Sequence, residues 1–399
     1  MIWERVKLGD VTDSCLGKML DKRKNKGTYK PYLANVNVRW GAFDLDNLQE
    51  MKFEDDEDER YGIKYGDLII CEGGEPGRCA IWKEQLPNMK IQKALHRLRV
   101  NEEMDYRYVY YWFLLAGKQG ALKQYYTGAT IMHMPGQKLK EVVIDKPPLD
   151  VQRKIGDYLE AFDDLFENNQ KQIKLLEEAA QRLYKEWFVD LRFPGYEDVK
   201  VVDGVPEGWR YKRVEEFGEV ITGKTPLTSK TEYYGGNIPF VTIPDMHGNV
   251  FPLVTEKTLT KVGADTQKNK YLPVNSVIVS CIATVGLVNI AVEACQTNQQ
   301  INSVILQNDN ELYFFYESMK RIKALLDGVG SNGATMTNVN KTKFSSIKVL
   351  YPVEDLVKRY NEFCKPIFDK ILALSKSIIK AEQARDRLLP KLMSGEIKV

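Results

Sequence analysis

The sequence reads IGDYLEAFDDLFENNQKQIKLLEEAAQRLYKEW from Ile155 to Trp187. Apolar or small residues recur there at alternating steps of four and three, between residues that are mostly Lys, Glu and Gln. This spacing is typical of the seam of a coiled coil, and its positions include Ile155, Phe162, Ile173, Leu176, Leu183 and Trp187. An amphipathic helix cannot bury its own seam, so the sequence predicts a partner helix.

A second seam near the end of the chain predicts that partner, and its positions include Ile371, Ile378 and Leu388. We expect the two helices to pack antiparallel, with Asn169 and Arg385 as polar seam positions that fix the register. Pro366 argues against continuity of the second helix, because an interior proline costs about 3 kcal/mol. A helix that restarts with Pro366 in its first turn is the alternative.

The chain is an internal repeat. Gly128-Ala129-Thr130 recurs as Gly333-Ala334-Thr335, 205 residues further on, and Ile173 meets Ile378 at the same offset. A constant offset over so long a stretch indicates duplication. The part of each copy that precedes the helix is rich in Val, Ile and Tyr. Asp67–Cys71 and Val277–Cys281 are interpreted as buried strands in these parts.

The predicted fold is therefore two copies of an α/β (α+β) domain, related by a pseudo-two-fold internal repeat and separated by two long helices in an antiparallel coiled coil. The predicted boundaries are 1–148 for the first domain, 149–192 for the first spacer helix, 193–205 for a linker, 206–352 for the second domain, and 353–399 for the second spacer helix with the C-terminal tail.

Composition excludes several classes of protein. Of the 399 residues 43% are hydrophobic and 28% are charged, and no segment approaches the ~20 apolar residues of a membrane span. The start of the chain lacks a signal-peptide pattern, so we expect a cytoplasmic protein. Six scattered cysteines and three distant histidines predict reduced thiols and no metal site. The net charge is only +2, but Lys18–Lys30 is basic and Glu54–Glu59 is acidic, which is compatible with a positive and a negative face.

Two similar domains on a rigid spacer suit a long, repetitive ligand such as duplex DNA. Arg pairs with guanine, Asn and Gln pair with adenine, and Lys contacts phosphates. The candidate DNA contacts in the first domain are Lys18, Lys22, Arg23, Lys24, Arg39, Trp40, Lys93, Arg97, Thr130 and His133. Those in the second are Lys230, Tyr233, Lys268, Asn298, Gln299, Asn332, Thr335 and Asn338. Each is also compatible with an ordinary surface loop.

A search for catalytic motifs finds none. Lys146-Pro147-Pro148-Leu149 lacks the Asn or Asp and the aromatic residue of the amino-methyltransferase loop. No glycine-rich turn suits S-adenosylmethionine, and no GxxxxGK[ST] phosphate loop is present. Pro244-Asp245 lacks the nearby Glu/Asp-x-Lys of a nuclease. We predict no catalytic residue, no metal and no bound cofactor.

Two motifs carry a family resemblance. Pro147-Pro148-Leu149-Asp150-Val151-Gln152-Arg153-Lys154-Ile155 is similar to a Pro-Pro-Leu-x-Glu-Gln-x-x-Ile run, from which Asp150-Val151 departs. The ending Leu388-Leu389-Pro390-Lys391-Leu392-Met393-Ser394-Gly395-Glu396-Ile397 is the more specific match. With these motifs and its two copies, the chain resembles the specificity subunit of Type I restriction-modification enzymes over essentially its full length.

The resemblance implies two target-recognition domains that each read half of a bipartite, asymmetric target in double-stranded DNA. It implies as partners two adenine-N6 methyltransferase subunits that bind S-adenosylmethionine, and restriction (motor) subunits that use ATP and Mg. The helices would set the spacing and dock these enzymes. Candidate docking residues face outward and are Lys174, Glu177, Gln181, Lys380, Gln383 and Asp386. The target bases and the spacer length do not follow from the sequence.

Two other functions stay open from the residues alone. A coiled-coil scaffold or adaptor without DNA binding fits the duplication and the helices, and affinity for duplex DNA that falls steeply with salt would argue against it. A nuclease with an unrecognised site is the other, and metal-dependent cleavage by the purified chain would favour it.

Replacing Ile173 by Asp tests the predicted seam. A carboxylate there places a charge in the interface between the helices, so we expect recognition of the joint target to be abolished. Binding of the intact target by the purified complex measures this, and normal affinity in the variant would contradict the role of the helices as a spacer.

Overall fold

The structure is a computed structural model that describes residues 3–21, 25–327 and 338–399. Its strands are β1 (Glu4–Lys7), β2 (Thr12–Leu16), β3 (Thr28–Leu33), β4 (Gln49–Phe53), β5 (Leu68–Cys71), β6 (Cys79–Ile81), β7 (Lys90–Ile91), β8 (Leu95–Val100), β9 (Val143–Lys146), β10 (Val201–Val202), β11 (Val205–Pro206), β12 (Arg210–Arg213), β13 (Gly218–Thr222), β14 (Tyr234–Val241), β15 (Lys257–Leu259), β16 (Val277–Ser280), β17 (Val288–Ile290), β18 (Gln296–Thr297), β19 (Ile301–Leu306) and β20 (Lys348–Tyr351).

The helices are α1 (Asp58–Tyr61), α2 (Tyr106–Gln119), α3 (Gly136–Glu141), α4 (Leu149–Phe188), α5 (Ile243–Met246), α6 (Lys261–Asp265), α7 (Leu312–Lys320), α8 (Ile322–Asp327), α9 (Lys341–Ser345) and α10 (Glu354–Met393). The chain divides into two compact units. Unit 1 comprises Met1–Glu167 with Lys380–Val399, and unit 2 comprises Asn168–Ile379. Each unit therefore contains part of α4 and part of α10. Because the two units divide α4 and α10 between them, they do not test the boundaries predicted for the domains, the spacer helices and the linker, which stay predictions.

The two units have the same sheet topology, which confirms the internal repeat. Unit 1 contains a four-stranded sheet in the order β2-β8-β5-β6, a three-stranded sheet β4-β3-β7 and the pair β1-β9. Unit 2 contains β13-β19-β16-β17, β15-β14-β18 and β12-β20 in the corresponding places, with β10-β11 in addition. In both three-stranded sheets one pair is parallel, β3 with β7 and β14 with β18. The predicted buried strands correspond to β5 and β16, whose residues are all buried.

The two long helices pack antiparallel, as the seam predicts. Within unit 2, Asn169 Nδ2 donates to Ser377 Oγ at 3.3 Å, and Tyr360 OH donates to Ala180 O at 3.2 Å. From Asn169 to Ala180 along α4, the contacted residue of α10 changes from Ser377 to Tyr360, which is closer to the start of α10. The two helices therefore run in opposite directions. The nine predicted seam residues are all buried or half-buried: Ile155, Phe162, Ile173, Leu176, Leu183, Trp187, Ile371, Ile378 and Leu388.

Helix α10 is continuous through Pro366, so the argument against continuity is wrong and the alternative of a restart at this residue does not occur. Pro366 has no N–H to donate to the carbonyl of Glu362, one turn earlier. Both residues are exposed. Water can therefore hydrogen-bond to the free carbonyl, which reduces the cost of the proline.

In unit 1, a half-buried ion pair joins the two helices. Arg385 Nη1 donates to Asp163 Oδ1 at 2.7 Å, and Tyr111 OH of α2 donates to the other carboxylate oxygen at 2.7 Å. The guanidinium also lies over the Phe166 ring, 4.9 Å from its centroid. Arg385 is thus a polar seam position with specific partners, which is the arrangement that restricts register.

The start of α4 is attached to unit 1 by the glutamine of the Pro-Pro-Leu motif. Gln152 is fully buried. Its Nε2 donates to Pro147 O at 2.8 Å, and its Oε1 accepts from Asp105 N at 2.9 Å. Gln152 thereby connects the first turn of α4 with the N-cap of α2 and the end of β9.

Glu317 of α7 predicts a pH dependence of stability. Its side chain is 3% exposed, and burial raises its pKa from 4.5 to about 7; Lys320 opposes the shift and Glu177 adds to it. Between pH 4.5 and pH 7 this carboxyl is protonated in the folded protein but ionised in the unfolded chain. The free energy of unfolding therefore falls as pH rises through this range. Above pH 7 this loss of unfolding free energy amounts to about 3 kcal/mol. Replacing Glu317 by Gln removes it, because the amide does not ionise.

Thermal unfolding at pH 5 and pH 8 measures the effect. We expect the Glu317→Gln variant to unfold at a higher temperature than the wild type at pH 8 and at a similar temperature near pH 5. Glu219→Gln, at an exposed position of β13, is the control and is expected to unfold like the wild type at both values. An equal shift of Glu317→Gln at both pH values would contradict a buried titrating carboxyl.

Candidate nucleic-acid interface

A tight turn and a loop meet at the end of β5 in unit 1. The turn is formed by residues 92–95. Glu72, the residue after β5, donates its N–H to Ala94 O in this turn at 2.9 Å. The carbonyl of Glu72 accepts from Met134 N, at the end of the loop, at 2.7 Å. These bonds use only backbone groups, so the side chains of the turn are not needed to maintain it.

Unit 2 contains the same arrangement at the end of β16. Cys281 follows this strand and donates its N–H to Gln300 O, in the turn formed by residues 298–301, at 2.9 Å. Its carbonyl accepts from Val339 N at 2.8 Å. The pattern of donors and acceptors is that of unit 1. Residues 92–95 and 298–301 are therefore equivalent turns, which we call turn 1 and turn 2.

A glycine packs against each turn. A Cβ atom on Gly17 would lie 2.4 Å from Gln92 O, and one on Gly223 would lie 2.2 Å from Asn298 O. Real Cβ contacts are essentially never this short. Both glycines are thus required by the close approach of two backbone segments. Gly17-Lys18 and Gly223-Lys224, similar in sequence, therefore occupy equivalent places in the two units.

Turn 1 borders a groove of about 650 Å³. Its lining includes Met19, Leu20, Asn35, Gln92, Lys93 and His133. The predicted contacts Lys93 and His133 are thus brought together, and both side chains are exposed. Sequence reasoning missed Met19, Leu20 and Asn35, although Met19 and Leu20 directly follow the glycine-lysine pair that recurs in both copies.

The loop that carries His133 is closed on itself. Thr127 N donates to His133 O at 2.8 Å, and His133 N donates to Thr127 O at 2.9 Å. Gly128 has φ +101°, and a Cβ there would lie 2.2 Å from Ile131 O, so this turn requires glycine. The predicted contact Thr130 is exposed at the tip. The loop therefore presents its polar groups from a defined backbone.

In unit 2 the corresponding loop is only partly described, and the predicted contacts Asn332 and Thr335 lie outside the described residues. Asn338 forms an isolated bridge with Ile282, as His133 does with Gly73 in unit 1. Asn338 and His133 are therefore equivalent positions, and both are exposed.

Turn 2 carries the predicted contacts Asn298 and Gln299. Asn298 is half-buried and stabilises the turn, because its Oδ1 accepts from Gln300 N at 3.1 Å. Gln299 is exposed, and its Oε1 accepts from Thr225 Oγ1 at 2.7 Å. Gln299 is thus the side chain of this turn that faces solvent in a restrained orientation. Thr225 was not a predicted contact.

Two predicted contacts in unit 1 are corrected. Lys18 is 3% exposed; its ammonium donates to Lys52 O at 3.0 Å and pairs with Glu57. Arg97 is 4% exposed, and its guanidinium donates to Asp13 Oδ2 at 2.8 Å and to backbone carbonyls. Both are internal ion-pair partners and are not available to a ligand. The predicted contacts Lys22, Arg23 and Lys24 lie outside the described residues.

The remaining predicted contacts lie away from the turns or have local partners. Arg39 donates to Val36 O at 2.6 Å, and Trp40 Nε1 donates to Glu75 at 2.7 Å. Lys230 lies 3.5 Å from Glu232. Tyr233 is half-buried, and Lys268 is exposed in the turn after α6. In the part of the chain that the structure describes, none of these five side chains forms a hydrogen bond or ion pair with turn 1 or turn 2.

Part of the acidic run Glu54–Glu59 forms ion pairs with lysines of unit 1. Asp58 accepts from Lys30 at 2.8 Å and lies 3.0 Å from Lys90 Nζ. Burial alone would raise the pKa of Asp58, but the hydrogen bonds from the two lysines lower it below its ordinary value. The acidic run therefore neutralises lysines of the same unit.

Across the described ranges, no group of three or more His, Cys, Asp and Glu side chains could bind a metal ion. In the same part of the chain, no helix is long and apolar enough to cross a membrane.

Comparison with known families matches this two-copy geometry. The family model for the Type I restriction modification DNA specificity domain matches residues 2–178 and again residues 206–381. Each match covers one globular part and most of the long helix that follows it. The chain belongs to this family of DNA specificity domains, and nothing found supports the scaffold or the nuclease.

Individual relatives agree with the family match. The Type I restriction enzyme HindI specificity subunit of Haemophilus influenzae is 34% identical over 314 residues, which are 63% of this chain and 68% of the relative. The MjaIX specificity subunit of Methanocaldococcus jannaschii is 28% identical over 347 residues, 84% of this chain and 78% of the relative. The crystal structure of a Type I S subunit from M. genitalium covers 98% of this chain and 96% of its own, with a TM-score of 0.59 at 15% identity, and shows the same fold.

Substitution of Gly17 by Ala tests the close approach under turn 1. The added methyl group would displace the backbone at Gln92, so we expect a lower melting temperature and at least severalfold weaker binding of duplex DNA. Gly136→Ala is the matched control, because its Cβ meets only His96 at an ordinary 3.4 Å. Equal melting temperatures for both variants would show that the turn tolerates displacement.

Proposed function

We propose that this chain selects the DNA target of a Type I restriction-modification complex and has no catalytic role of its own. Each unit reads one half of a bipartite, asymmetric target in double-stranded DNA. The observation that carries this proposal is the pair of equivalent turns: one pattern of backbone hydrogen bonds occurs twice, with different exposed side chains. Two units with the same fold but different exposed side chains suit two different half-sites.

In this function the backbone frame and the side chains have separate roles. The frame fixes the position from which side chains approach the base edges, and positioned groups on rigid elements discriminate best. Lysines near the turns contribute phosphate contacts that do not depend on sequence. His96, 1% exposed and 3.2 Å from Met134 O, supports the loop of unit 1 from behind. Burial lowers the pKa of His96, so its ring is neutral near pH 7.

We assign the chemistry to partner subunits. Two methyltransferase subunits would supply S-adenosylmethionine-dependent methylation, and restriction subunits would supply ATP- and Mg-dependent translocation and cleavage. We place the assembly in the cytoplasm, and we assign to α4 and α10 the spacing of the half-sites and the docking of the methyltransferases. Of the candidate docking residues, Glu177 pairs with Lys320 and Asp386 pairs with Lys118, so Lys174, Gln181, Lys380 and Gln383 are the better candidates.

A genome-wide map of modified adenines, with and without this gene, tests the function. We expect deletion to remove methylation from one two-part, asymmetric motif, and reintroduction of the gene to restore it. A gene in which residues 206–352 come from a relative is expected to change one half of the motif only. An unchanged map despite expression of the partner genes would overturn the function, and a change in both halves would overturn the assignment of one half to each unit.

A further inference from the structure

Turn 1 and turn 2 present different side chains from the same backbone position. Lys93 follows the first residue of turn 1, and Gln299 follows the first residue of turn 2. Both are exposed, whereas the residues before and after them are half-buried. Lys93 and Gln299 therefore project furthest from their turns toward a ligand.

The backbone under these two residues is fixed in the same way. Gln92 N donates to Leu33 O at 3.0 Å in turn 1, and Asn298 N donates to Val241 O at 3.3 Å in turn 2. With the bonds from residues 72 and 281 and the glycines beneath, each turn is restrained on both sides of its exposed side chain. A side chain on such a turn can discriminate between bases, because a small misplacement is not absorbed by the loop.

Gln299 has the donor and acceptor set that matches adenine. Thr225 Oγ1 donates to Gln299 Oε1 at 2.7 Å and thereby orients the amide. The second lone pair of Oε1 and both Nε2 hydrogens are left for a ligand. Adenine presents an N7 acceptor and an N6 donor in the major groove, and glutamine pairs with both at once.

Lys93 has the set that matches guanine. Its ammonium donates three hydrogen bonds and accepts none. Within the described part of the chain it forms no ion pair, so it is free for a ligand. Guanine presents two acceptors, N7 and O6, in the major groove, whereas the N6 donor of adenine finds no acceptor on a lysine.

We propose that turn 1 and turn 2 are base-contacting sites of opposite preference: Lys93 selects a G·C pair in one half-site, and Gln299 selects an A·T pair in the other. This rests on the proposed function, since it requires that each unit reads DNA. A correct contact of this kind discriminates against the wrong pair by roughly tenfold to hundredfold.

Exchange of the two side chains tests the proposal in the host strain, by mapping modified adenines. With Lys93→Gln we expect one G·C pair of one half-site to become A·T or to lose its preference, while the other half is unchanged. With Gln299→Lys we expect the reverse at one A·T pair of the other half. Lys93→Arg is expected to keep the G·C preference, because arginine also pairs with guanine.

Matched controls lie at the far ends of the same sheets. Lys64→Gln changes an exposed lysine just before β5, and Gln307→Lys changes an exposed glutamine just after β19. Both variants are expected to keep the wild-type motif. A wild-type strain without any two-part motif would contradict the proposed function itself, whereas a normal wild-type motif that neither Lys93→Gln nor Gln299→Lys alters would overturn the base contacts alone.

A second measurement covers variants with too little methylation to map. The purified complex carrying each variant selects binders from a duplex library with randomised half-sites. Enrichment of the exchanged base pair supports the contact. Enrichment of the wild-type motif at uniformly lower affinity would show that Lys93 contacts only phosphate, and no enrichment by a complex that still binds non-specific duplex would likewise overturn a single-base role.

Discussion

The packing of α4 against α10 is the constraint on which the rest of the structure depends. An amphipathic helix of 40 residues leaves an apolar stripe in water unless another helix covers it, and the second copy supplies that helix. Polar seam residues have partners within each unit, Asn169 with Ser377 in unit 2 and Arg385 with Asp163 in unit 1. Because the ends of both helices enter the cores of the units, seam and globular parts stabilise one another.

Separate roles of backbone and side chain allow one fold to present different side chains in its two copies. In both units the turns are maintained by backbone hydrogen bonds and by a glycine that admits no side chain, and in unit 2 the Asn298 side chain adds a hydrogen bond. The exposed residue at each turn contributes little to this frame, and surface substitutions usually change stability by less than about 0.5 kcal/mol. The exposed side chains of the two turns can therefore differ between copies without cost to the fold.

Prediction from sequence succeeded where a pattern extends over many residues. The seam, the repeat and the buried strands β5 and β16 follow from periodicity or a constant offset, whereas the family follows from the resemblance of two motifs, residues 147–155 and 388–397. Prediction failed at single polar positions. Lys18 and Arg97 were counted as surface cations, but each is buried against a carboxylate that is distant in sequence, Glu57 and Asp13. Pro366 was misjudged because its effect depends on whether the freed carbonyl faces water.

The sequence by itself thus determined the two-copy architecture and the antiparallel helices, because these depend on hydrophobic periodicity and repetition. It indicated the class of protein through the resemblance of two motifs to a known family. Only the tertiary structure decided which polar residues share a surface. It shows that Lys93 and His133 line the same groove in unit 1 and that Gln299 accepts a hydrogen bond from Thr225 in unit 2. It also shows that Lys18 and Arg97 are buried. The physical reason is that the environment of a polar side chain is set by partners far away in the chain, and local sequence does not specify them.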